Sequence, residues 1–119
     1  MFLARRREVA EKMAVTVKIG GSEERLLNDL TESWIVDQIY RRRQDRVEVC
    51  VVVRIEMAGV NLRLATPSCS SAGGGGRPPN SREQEIVNLW NERKLNSADF
   101  TAGSVIAFLQ QLRRFIYTC

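Results

Sequence analysis

Residues 47–65 read VEVCVVVRIEMAGVNLRLA, and this stretch decides the fold. From Val47 to Glu56 the residues Val47, Val49, Val51, Val53 and Ile55 make one apolar face at a period of two, the periodicity of a β-strand. Cys50 and Val52 make the middle of the other face apolar too, which marks an inner strand. Ala58-Gly59 supplies a turn. Val60, Leu62 and Leu64 then alternate with Asn61 and Arg63 through Ala65, and Pro67 stops the run. The pattern predicts an antiparallel hairpin with one wet face.

Toward the N-terminus, Ala14 to Ile19 alternates as well, with Val15, Val17 and Ile19 opposite Thr16 and Lys18. It predicts a first strand ended by Gly20-Gly21. Ser22, followed by Glu23 and Glu24, has the chemistry of a helix start. Leu26, Leu27, Leu30, Trp34, Ile35 and Ile39 recur at helical spacing to about residue 43. Asp29-x-x-Glu32 is a second capping box, so a break near Asn28-Asp29 fits the pattern. Arg41, Arg42 and Arg43 complement the negative end of the dipole on a solvated last turn. A strand, a helix and a second strand predict that the first two strands lie parallel and adjacent.

Toward the C-terminus, Ser68 to Asn80 is the low-complexity stretch, with Gly73-Gly74-Gly75-Gly76 before Arg77-Pro78-Pro79. It reads as a flexible loop with a stiff exit. Asn80-x-x-Glu83 and Ser81-x-x-Gln84 both fit a capping box. A helix through Ile86, Leu89, Trp90 and Arg93, a turn at Asn96-Ser97, and a last helix with Val105, Leu109, Leu112 and Ile116 complete the chain. Trp34 and Trp90 read as core or interface anchors.

The expected architecture is a single α+β domain over residues 13–119, in the order β-α-β-β-α-α. Its three-stranded mixed sheet carries helices on one face, and residues 1–12 form an N-terminal extension or arm. Val15, Val17, Val49, Val51, Val53, Leu62 and Leu64 face the helices. Thr16, Lys18, Cys50, Val52, Arg54, Asn61 and Arg63 face the other way, onto a surface that no predicted helix covers.

Composition narrows the function. The chain has 119 residues, 44% of them hydrophobic, which is too apolar for a disordered chain. No apolar run approaches the ~18 residues of a spanning helix, so no membrane association is expected. The histidine count is zero, which removes Ser-His-Asp and Cys-His constellations and most zinc sites. Asp37, the carboxylate in the most apolar setting, reads as a partner for Arg41 one turn on. The expectation is therefore a protein without catalytic residues, metal or cofactor. Cys50, Cys69 and Cys119 are odd in number and have no metal spacing. Cys50 reads as a small buried hydrophobe and Cys69 as an exposed, oxidisable residue beside the glycine run. Free thiols and a cytoplasmic location follow from that reading.

The formal charge is +4 and the pI about 9.3, carried mainly by arginine. The candidate interface or polyanion face is Lys18, Cys50, Val52, Arg54 and Arg63. The first reading is a non-enzymatic binding protein that self-associates, as a homodimer, through its open sheet or a helical face. The second is a small nucleic-acid-binding module using Lys18, Arg54 and Arg63 with Arg41 to Arg43, although no aromatic residue sits on those strands to stack a base. The third is an anion site at Gly74, Gly75, Gly76, Arg77 and Arg82, where a glycine loop meets a helix N-terminus. That stretch lacks GxxxxGK[ST].

Overall fold

The computed structural model describes residues 14–26, 33–57, 59–69 and 77–117. Its elements are β1 (Ala14–Ile19), β2 (Ser22–Leu26), α1 (Ser33–Gln44), β3 (Val51–Met57), β4 (Val60–Ala65), α2 (Ser81–Glu92) and α3 (Ala102–Tyr117). The class is α+β, but the sheet has four strands rather than three, in the order β2-β1-β3-β4, and every neighbouring pair is antiparallel.

The difference begins at Gly20-Gly21. These glycines do not merely end a strand. They form the two-residue loop of a hairpin, with Gly20 at φ +60°, and Ser22 to Leu26 returns along β1. The residues expected to open a helix are thus a strand, and α1 starts at Ser33. The expected break at Asn28-Asp29 and the box at Asp29 to Glu32 lie outside the described residues. The hairpin also reverses the chain before the helix. The crossover through α1 therefore leaves β2 and β3 parallel, with β1 between them, and β1 meets β3 antiparallel in the register Val17↔Val53. β3 begins at Val51 rather than Val47, because β1 stops pairing at Ile19↔Val51 and β4 at Val52↔Ala65.

The helices pack on one face of the sheet. Val15, Val17, Val51, Val53 and Ile55 are fully buried there, and Ile35, Ile39, Ile86, Phe108, Leu109 and Leu112 meet them from α1, α2 and α3. Trp90 meets the Phe108 ring edge-on, with centroids 5.1 Å apart. Trp34 packs against the same core from its rim.

Among the described residues one charged side chain is buried with this core. Glu83 is completely buried. Its carboxylate receives two hydrogen bonds from the Arg77 guanidinium, at 2.6 and 2.7 Å, and one each from the backbone N–H of Asn61 and Asn80, at 2.8 and 2.9 Å. The Asn80 side chain accepts in return from the Glu83 N–H at 2.8 Å, which completes the expected capping box. The Arg77 guanidinium, and after it the two N–H donors, hold the Glu83 carboxyl at a pKa of about 2, well below the usual carboxylate range.

Glu83→Ala should cost roughly 3 kcal/mol or more, because Arg77 and two backbone donors lose a shared acceptor at a buried site; chemical denaturation measures this. Wild-type stability should hold above pH 4.5 and decline as the pH falls toward 2, since the folded chain keeps this carboxylate ionised where the unfolded chain binds a proton. The Glu83→Ala variant should lose that part of the acid dependence.

Candidate functional site on the open sheet face

The side of the sheet away from the helices is set by strand parity. Thr16 and Lys18 on β1, Glu23 on β2, Val52 and Arg54 on β3 and Arg63 on β4 all project there. With Gly20, Cys50 and Cys69 they line a concavity of about 350 Å³. The register arranges them in rows. Thr16, Arg54 and Arg63 are consecutive cross-strand neighbours, and so are Glu23, Lys18, Val52 and Ala65. All five residues of the sequence-derived face, Lys18, Cys50, Val52, Arg54 and Arg63, thus meet around one depression. Asn61, expected beside them, lies at the far end of β4, where its backbone N–H is held by Glu83.

Lys18, Glu23, Arg54 and Arg63 are exposed, whereas Thr16, Val52, Cys50 and Cys69 are half-buried. Arg54 and Arg63 stand directly opposite one another on adjacent strands. Like charges in that relation repel and destabilise the pair. The arrangement can receive carboxylate or phosphate oxygens on its cations, with the Thr16 hydroxyl as a further donor.

Cys50 is not a free thiol. It forms a disulfide with Cys69, their Cα atoms 4.8 Å apart. The hairpin brings the two together: continuing the β3–β4 register past Val52↔Ala65 sets position 50 opposite 67, two residues short of Cys69. The register held this signal, and the cysteine spacing alone did not.

The remaining residues of the other two readings make contacts away from the concavity. Arg77 is paired with Glu83, and the start of α2 is closed by Asn80. Arg82 stacks over Phe115, 5.5 Å from the ring centre. Gly74, Gly75 and Gly76 lie outside the described residues. The arginine triplet forms the last turn of α1 as expected, with Arg41 and Arg43 exposed and Arg42 half-buried. Arg41 pairs with Asp37 at 3.0 Å, Arg42 packs half-buried against Gly20, and Arg43 lies over the Phe100 ring and donates to the Phe100 carbonyl.

Among the described residues no helix is long and apolar enough to cross a membrane, and no three Cys, Asp or Glu side chains gather as metal ligands. No protein-family model, no curated protein and no solved structure matches this chain.

Adjacent residues of β3 should respond in opposite ways. Val51→Asp places an unpaired charge at a fully buried position and should prevent folding. Val52→Arg points into the concavity and should keep the wild-type circular-dichroism spectrum and a melting temperature within a few degrees.

Proposed function

We propose that this chain is a non-enzymatic binding domain that holds an acidic segment of a partner protein on its open sheet face. The observation that carries the reading is that Lys18 and Arg54 stand exposed on neighbouring strands in a concavity on the side of the sheet away from α1, α2 and α3. An acidic ligand can set its carboxylates against the exposed Lys18 and Arg54 side chains.

The lining favours a protein segment over a nucleic acid. Val52 and the Cys50–Cys69 disulfide give the concavity an apolar floor, and Glu23 sets a carboxylate at its rim. A phosphate backbone is held by charge and donors, and among the described residues the lining offers no aromatic ring on which a base could stack. A segment of mixed acidic and apolar residues uses both parts of the surface. The lining is also unsuited to its own copy. Among the described residues its exposed Lys18 and Arg54 would meet their own copies across a two-fold contact, which sets like charge against like. Among the described residues the large apolar side chains left in solvent are Val36, Tyr40 and Val47, on α1 and just beyond it. A homodimer through that side is the competing outcome.

The test uses fluorescence anisotropy with a labelled peptide alternating glutamate and valine, together with solution mass measurements. The peptide should bind saturably to a monomer. Arg54→Glu should weaken it about tenfold, or ~1.4 kcal/mol, and added salt should weaken it as well. Tighter binding of a single-stranded oligonucleotide would overturn this reading in favour of nucleic acid. A concentration-dependent dimer that Val52→Arg breaks, with no peptide binding, would return it to self-association.

A further inference from the structure

The Cys50–Cys69 disulfide sits in the wall of the concavity, and both cysteines are only half-buried. Its surroundings differ from those of a structural bridge in three respects.

The segments it joins are held without it. The Thr66 N–H donates to the Val51 carbonyl at 3.0 Å, the Val51 N–H donates to the Thr66 hydroxyl at 3.0 Å, and the Ser68 hydroxyl donates to the Val49 carbonyl. The β3–β4 ladder continues from there. Opening the bridge leaves all of these in place.

Acceptors for a thiol already stand beside Cys69. Its Sγ lies 3.6 Å from the Val51 carbonyl oxygen and 3.5 Å from the Thr66 hydroxyl oxygen. In the disulfide this sulfur has no proton to donate. Once reduced, its S–H has both acceptors close at hand.

The third respect is electrostatic. Lys18, Arg54 and Arg63 share the concavity with both sulfurs. Neighbouring cations favour thiolates over thiols, and a basic concavity draws anionic reactants toward it.

We propose that Cys50–Cys69 is a thiol-exchange site, reduced and re-formed within the folded chain, whose substrate class is a small thiol carrying a carboxylate. The inference rests on the basic concavity that underlies the proposed function, and it does not depend on the protein partner. The incoming thiolate forms a bond to one Sγ. The bond between the two cysteines breaks, and its electron pair leaves on the other Sγ, which takes a proton from water. A second thiolate then attacks the small-molecule sulfur of the mixed disulfide, which releases the remaining cysteine and a disulfide of the two small thiols. Two small thiols are oxidised, and the protein disulfide gains two electrons; the bridge re-forms when the same exchanges run backward, with the disulfide of the two small thiols as the oxidant.

The test compares 3-mercaptopropionate with cysteamine on the oxidised chain in a Cys119→Ser background, at equal thiolate concentration and low salt. Alkylation followed by mass spectrometry reads the extent of reduction, and circular dichroism reads the fold. The anionic thiol should react about tenfold faster than the cationic one. High salt, Lys18→Glu and Arg54→Glu should each shrink that ratio toward one. The reduced chain should keep its spectrum and a cooperative melt. Reduction only under conditions that unfold the chain overturns the proposal, as does equal or faster reaction of cysteamine. Exchange with the expected charge preference but no acidic-peptide binding sinks the proposed function alone. Peptide binding to a disulfide that resists thiols until the chain unfolds sinks this inference alone.

Discussion

The structure depends on one buried carboxylate. Glu83 carries no exposed surface and accepts hydrogen bonds from three separate parts of the chain: the arriving segment at Arg77, the helix cap at Asn80 and the edge strand at Asn61. A charge out of contact with water is tolerable only when its lone pairs are filled, and here four donors fill them. The result fixes the start of α2 against β4 in both position and direction. From that fixed start α2 can lay Ile86 and Trp90 into the core, and Trp90 can meet Phe108 of α3. Moving the carboxylate would displace the cap, the edge strand and the helix pair together. The same contacts engage Arg77 with Glu83 and the Glu83 N–H with Asn80.

The two faces of the sheet follow opposite rules. The helix side is a continuous apolar surface in which each residue is confined by its neighbours. The open side places Arg54 against Arg63 and Glu23 beside Lys18. Parity alone sends each residue to one side or the other, so a strand rich in valine on one side can still carry a basic surface on the other. The disulfide belongs to the open side, which sets it apart from a bridge that staples a core.

How legible this was depends on how many local signals agreed. The period of two in residues 14–19 and 47–65 had no competitor, and it placed Lys18, Cys50, Val52, Arg54 and Arg63 on one face. The capping box at Asn80 and Glu83 was equally plain, although no local pattern signals that a carboxylate there is fully buried. Ser22 to Leu26 was ambiguous. Ser-Glu-Glu suits the first turn of a helix as well as a strand, and five residues carry little periodicity. Pairing with β1 through a two-glycine loop settles it, and that is a tertiary effect that no local window contains. The parallel arrangement of the first two strands failed for the same reason, since one unrecognised hairpin inverts the direction of the strand that follows the helix. Cys50 and Cys69 were read as isolated residues because their spacing means nothing until the hairpin register is known.

Gly20 has a consequence for how the open face attracts charge. Its backbone forms part of the concavity, while a Cβ at that position would collide with the Arg42 guanidinium behind it. The wall between the concavity and this fourth cation is therefore one backbone thick. Arg42 is half-buried, and its Nε is buried without a hydrogen-bond partner. Mobile ions collect around exposed cations such as Lys18 and Arg54 and screen them within roughly 10 Å at 0.1 M salt, but they reach a partly buried charge much less. The field of the open face accordingly has two layers. One fades with ionic strength, and the other persists and reaches the concavity through a residue that must remain glycine.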